Sequence, residues 1–105
     1  MEQLTYVPLR VRIKLSYQEM LVITRLLSGY VFSEKTLEKM AVFEWAIKKS
    51  IQYKQKCIAF QNKYVITLNA QDALMMDKVL SATQLRDPLG RAVSYKITDS
   101  IHRMV

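Results

Sequence analysis

Arg10, Arg12 and Lys14 stand at every second position of the run LRVRIKL, and Leu9, Val11, Ile13 and Leu15 fill the positions between them. A period of two sends alternate side chains to opposite faces of a strand, so three cations share one face and the apolar residues the other. A second run, residues 63–68, sets Lys63, Val65 and Thr67 against Tyr64, Ile66 and Leu68 in the same way. A row of guanidinium and ammonium groups on a free face can neutralise a polyanion and release its counterions, or meet an acidic partner. The same row also serves as an ordinary solvated face, or as a guard against edge-to-edge strand pairing. The chain carries 16 Lys and Arg against 9 Asp and Glu, a formal charge of +7. Lys48, Lys49, Lys54 and Lys56 form a further basic group near the end of a predicted helix. There they complement the helix dipole, with phosphate contact as the sharper alternative.

Other reactive groups are sparse. Cys57 is the single cysteine, which excludes an internal disulfide and suits a reducing, cytoplasmic setting. The lysines beside it are expected to lower its pKa, but a thiolate nucleophile needs a base, and His102 is the single histidine. His102, three residues from Asp99, reads as a surface residue. Glu34, Glu38 and Glu44 have the spacing of helix-surface carboxylates that pair with cations. There is no glycine-rich phosphate loop, metal-ligand cluster or isolated acid pair. The expectation is a protein that is not an enzyme, with no cofactor, no metal site and no small-molecule substrate.

The elements that position the cations come from an internal duplication. Residues 13–28 (IKLSYQEMLVITRLLS) align without a gap on residues 66–81 (ITLNAQDALMMDKVLS), at an offset of 53 in a chain of 105. Ile13/Ile66, Leu15/Leu68, Gln18/Gln71, Leu21/Leu74, Leu27/Leu80 and Ser28/Ser81 are identical. Two copies of one supersecondary unit follow from such a match. Ser16 with Glu19, and Asn69 with Asp72, have the capping-box spacing, so a helix is predicted over 17–28 and again over 70–81. Their wide apolar arcs predict deep packing. Gly29 is expected to end the first helix as a left-handed cap, and Ser33 to cap a long helix from Glu34 to about Lys54. That helix presents Leu37, Met40, Ala41, Glu44, Ile47 and Ile51 at helical spacing, with Phe43 and Trp45 beside them as core or as an interface between copies. Asp87-Pro88 starts the last helix, whose stripe is Leu89, Ala92, Val93, Ile97, Ile101 and Met104. The units are thus 9–54 and 62–105, within one domain. The join leaves room for a short strand over 57–60.

Half the residues are apolar, as in globular proteins, and the six methionines read as core filler. The start, MEQLTYVPLR, has an acid at position 2 and no apolar core, which predicts no signal peptide. Pro8 opens the first strand, where a missing N–H is tolerated. No apolar run approaches the ~18–20 residues of a membrane span.

One strand alone is unstable, so the two strands should pair, antiparallel because a two-fold relation between copies produces that arrangement. The predicted fold is mainly α with a small β ribbon, two antiparallel strands packed on four helices. This pattern resembles the ribbon–helix–helix DNA-binding proteins of bacteria and their mobile elements. The resemblance is carried by RVRIKLS, the helix YQEMLVITRLLS, the turn GYVFS and the helix after it, and in the second copy by KYVITLN, AQDALMMDKVLS and the helix from Pro88. It covers about nine-tenths of the chain, at the level of apolar spacing and element lengths. It implies double-stranded DNA as partner, read in the major groove by Arg10, Arg12, Lys14, Lys63, Val65 and Thr67. The start of each second helix, at Ser33 in the first copy, would hold a phosphate. Asp87 departs from that pattern, since a carboxylate repels phosphate. A repressor or accessory factor of a mobile element is the implied role. The alternative is a protein–protein module, an adaptor or inhibitor, with a possible homo-oligomer.

Overall fold

The computed structural model describes residues 9–83 and 85–104. The expectations for the first eight residues, including Pro8, lie outside the described residues. The order of elements is β1 (Val11–Ser16), α1 (Tyr17–Ser28), α2 (Leu37–Ile58), β2 (Lys63–Leu68), α3 (Ala70–Ala82) and α4 (Pro88–Arg103). The two strands form one antiparallel sheet, so the molecule is mainly helical with a small β ribbon.

The alternation of β1 and β2 decides which face is covered. Val11, Ile13, Leu15, Tyr64, Ile66 and Leu68 are at most 4% exposed and lie on the helices. The residues between them face solvent. In register, Val11 lies opposite Leu68, Ile13 opposite Ile66 and Leu15 opposite Tyr64. The strand starts at Val11, so Arg10 precedes the paired ladder by one residue.

Each strand runs straight into a helix, and the capping boxes explain the sharp change. Ser16 Oγ accepts from the Glu19 amide at 3.1 Å, while Glu19 Oε1 accepts from the Ser16 amide at 2.8 Å. Asn69 and Asp72 repeat both bonds, at 2.8 and 3.3 Å. Glu19 also takes Lys96 of α4 at 3.1 Å. Partial burial pushes the Glu19 pKa up, but the Ser16 amide and Lys96 outweigh it and hold the carboxyl below its usual value. A depressed folded-state pKa adds stability above the unfolded value of about 4.5, and that stability is lost as pH falls through the folded pKa. Glu19→Gln should therefore destabilise at pH 7, by about 1 kcal/mol as for a lost cap. It should also flatten the acid limb of a plot of melting temperature against pH.

The connection after α1 differs from expectation in two ways. Gly29 ends the helix with φ at −92°, outside the left-handed region, and its amide donates back to Arg25 O at 3.0 Å. Ser33 does not cap α2; Thr36 does, its hydroxyl accepting from the Lys39 amide at 3.2 Å. Tyr30 is buried, and the Phe32 ring meets Phe43 edge-on at 5.6 Å. Anchoring those two rings holds the segment out of the helix, so helical bonding starts at the next hydroxyl that can cap.

At its other end α2 runs to Ile58, past the expected stop at Lys54, and absorbs Cys57 and Ile58. No strand forms over 57–60. The Tyr64 hydroxyl secures the turn instead, accepting from the Gln61 amide at 2.9 Å and donating to Ala59 O at 3.2 Å. Burial pushes the Cys57 thiol pKa up, against the lowering expected from nearby lysines.

The buried face of α2 is not the bulky stripe at helical spacing. Val42, Ala46, Ser50 and Tyr53 face the core, whereas Leu37, Met40, Ala41, Glu44 and Ile51 are exposed. Ala46 and Ser50 are small and let neighbouring helices come close, which favours that stripe over the bulkier one. The other helices bury narrower arcs than predicted, leaving Leu21, Leu74, Leu89, Ala92 and Met104 exposed. Trp45 ties α2 to α3, its Nε1 donating to Asp72 Oδ1 at 2.9 Å, with Lys49 Nζ 3.7 Å from the same oxygen.

Gly90, in the first turn of α4, is buried, and a Cβ there would meet Leu85 at 3.6 Å, an ordinary contact. Gly90→Ala should raise stability by about 0.5–1 kcal/mol, read as a higher urea midpoint.

Candidate nucleic-acid interface

The outward face of the ribbon is built from three cross-strand pairs: Arg12 opposite Thr67, Lys14 opposite Val65 and Ser16 opposite Lys63. All six are exposed, and none is a carboxylate. Arg10, also exposed, extends the row beyond the ladder. Among the described residues, Arg10, Arg12, Lys14 and Lys63 make no ion pair, although five other lysines and arginines do. Six residues per strand give a ribbon about 20 Å long, with strands about 4.8 Å apart. Such a ribbon fits a groove about 12 Å wide.

The platform beneath is stiff. Its inward side chains are closed into the core, and a capping box locks the end of each strand. A backbone held in this way loses little further freedom when the face meets a ligand.

Two lysines that sequence reasoning placed elsewhere, or not at all, border this face. Lys56, from the last turn of α2, lines a cleft of about 240 Å³ with Gln61, Tyr64 and Val65. Lys96, from α4, lines one of about 290 Å³ with Lys14, Ser16, Glu19, Asn62 and Lys63. Both come from helices, Lys56 seven residues before β2 and Lys96 far along the chain, so strand alternation alone does not find them.

The helix starts are poor anion sites. Ser33 is exposed but three residues ahead of the Thr36 cap. Glu38 sits in the first turn of α2, paired with Lys78 of α3, and Glu34 pairs with Lys39 at 3.3 Å. At α4 the Asp87 carboxylate takes the Gly90 amide at 3.2 Å. Carboxylates therefore occupy the places where a phosphate would bind.

Elsewhere the chemistry is quiet. His102 lies 3.2 Å from Asp77 on the surface, and Asp99 pairs with Arg103 at 2.9 Å. Among the described residues, no group of three or more His, Cys, Asp or Glu could hold a metal ion, and no helix is long and apolar enough to cross a membrane. No protein-family model, no curated protein and no solved structure matches this chain.

Proposed function

We propose that this chain is a tandem ribbon–helix–helix protein that binds double-stranded DNA by laying its two-stranded ribbon in the major groove. One observation carries the reading: the paired strands present an acid-free face on which Arg12, Lys14 and Lys63 are exposed and, among the described residues, without ion-pair partners. Groove width, ribbon width and the donor chemistry of arginine and lysine toward guanine O6 and N7 agree. Thr67 and Val65 suit contact with a thymine methyl.

The strand register supports the duplication. Ile13 lies opposite Ile66, the same two residues that the 53-residue offset aligns. A two-fold axis at that pair exchanges the copies, and it makes Val11 opposite Leu68 the image of Leu15 opposite Tyr64. The outward residues do not follow the symmetry: Arg12 corresponds to Val65, and Lys14 to Thr67. The two halves of the ribbon would therefore read different half-sites. In the groove the ribbon's cations lie between the two phosphate rows and neutralise part of their charge, Lys56 beside the ribbon adds a phosphate contact, Lys96 is already held by Glu19, and Ser33, three residues ahead of the Thr36 cap, is not an anchor. A repressor or accessory factor of a mobile element fits such a protein.

Fluorescence anisotropy with mixed-sequence duplexes at low salt tests the proposal. Saturable binding at micromolar protein is expected, in the range of charge-driven non-specific association. No binding there overturns it.

A further inference from the structure

The bulky stripe that α2 turns away from the core is not a scatter of apolar residues. Leu37, Met40, Glu44, Ile47, Ile51, Lys54 and Ile58 recur at alternate spacings of three and four, the period of a two-helix seam. At 100° per residue this stripe is centred about 140° from the buried one. Leu37 is 86% exposed, Met40 45%, Ile51 51% and Ile58 84%, with Ile47 half-buried between them. Exposed apolar side chains repeated along one helix face in this way offer a docking surface.

We infer that this seam pairs two copies of the chain through antiparallel α2 helices. The two polar residues that interrupt it identify the occupant and the direction. Glu44 and Lys54 are both exposed, and neither makes an ion pair among the described residues. In a parallel pair each would meet its own copy, setting like charges together. In an antiparallel pair, one register places Glu44 of each copy against Lys54 of the other. The same register stacks Ile47 on Ile51 and Met40 on Ile58, so each layer from Met40 to Ile58 is apolar or charge-complementary, and Leu37 overhangs the end of the other copy's α2. Shifting by one heptad either way sets Glu44 or Lys54 against isoleucine, burying an unpaired charge. The stripe is thus self-complementary in one arrangement, as a two-fold interface requires. Lys48 faces its counterpart across the axis, at the solvated rim, where repulsion is screened by salt.

The pairing does not depend on the ribbon's role, and its test is separate. Light scattering and sedimentation at rising protein concentration should show twice the chain mass, at salt high enough to release any nucleic acid. Ile51→Lys should leave the helical circular dichroism unchanged and give monomers. Glu44→Lys and Lys54→Glu should each weaken the dimer at least tenfold, and the double exchange E44K/K54E should restore it. A wild-type monomer up to the solubility limit overturns the inference, as does a dimer that ignores these charge exchanges.

Discussion

Replacing Arg12 and Lys14 together by glutamate should abolish duplex binding, lowering affinity about 100-fold or more at low salt. These residues occupy the middle of the outward face, opposite Thr67 and Val65. Each substitution removes a cation and adds an anion that the phosphates repel. The fold should survive, because both side chains are exposed and neither makes an ion pair among the described residues. Circular dichroism and a thermal melt would check that, and anisotropy would read the affinity. Neutral replacement by glutamine should give a smaller loss and a shallower salt dependence. Wild-type affinity in the charge-reversed variant would place any nucleic-acid contact elsewhere, with the Lys48–Lys56 stretch of α2 the next surface to test.

The second large effect concerns the platform. Ile13 and Ile66 face each other across the ribbon and are 2% and 1% exposed. Truncating either to alanine removes buried methyl and methylene groups and leaves a cavity, at a cost of about 2–4 kcal/mol. In a chain of 105 residues that lowers the melting temperature by roughly 10 °C or more. The two single variants should lose similar amounts, and the double variant should differ from their sum because the pair shares one site. Urea unfolding followed by circular dichroism measures all three. A loss below about 1 kcal/mol in either single variant would mean that the ribbon is not tied to the helical core.

What was legible in the sequence was local chemistry. The two-residue period of the strands, the Ser16–Glu19 and Asn69–Asp72 boxes and the Asp87-Pro88 start each need only a few adjacent residues, and all are present. What sequence reasoning missed depends on the third dimension. Ser33 and Thr36 both carry capping hydroxyls, and burial of Tyr30 with the Phe32–Phe43 contact decides between them. α2 has two stripes at helical spacing, and periodicity does not say which one meets the core; the smaller stripe does. The Tyr64 hydroxyl replaces the glycine turn that residues 59–62 lack. Lys96 reaches the ribbon from a helix far along the chain, so its place beside the candidate site has no sequence signal beyond charge, whereas Lys56, seven residues before β2, already stood in the basic group at the end of α2. The outward residues needed no such information: Arg12, Lys14, Lys63, Val65 and Thr67 lie where alternation puts them, and Arg10 lies one residue before the ladder.

The outward stripe of α2 has a use of its own. A stripe that looks like core but points to solvent is the signature of a surface completed by another molecule. Duplex binding and α2 pairing would use separate residues, so either can fail without the other. Together they would make a four-copy assembly of strand–helix–helix units with two ribbons.

The salt dependence of duplex binding tests the central claim most directly. Affinity measured by anisotropy over a series of salt concentrations gives a slope of about −0.9 per phosphate neutralised. With Arg10, Arg12, Lys14 and Lys63 engaged, and Lys56 beside them, the wild-type slope should be about −3 to −5 in a plot of log affinity against log salt. The Arg12 and Lys14 glutamine variant should be shallower by about 2. A slope near zero, or no saturable binding at the lowest salt, would contradict the assignment of the ribbon as a DNA-binding face.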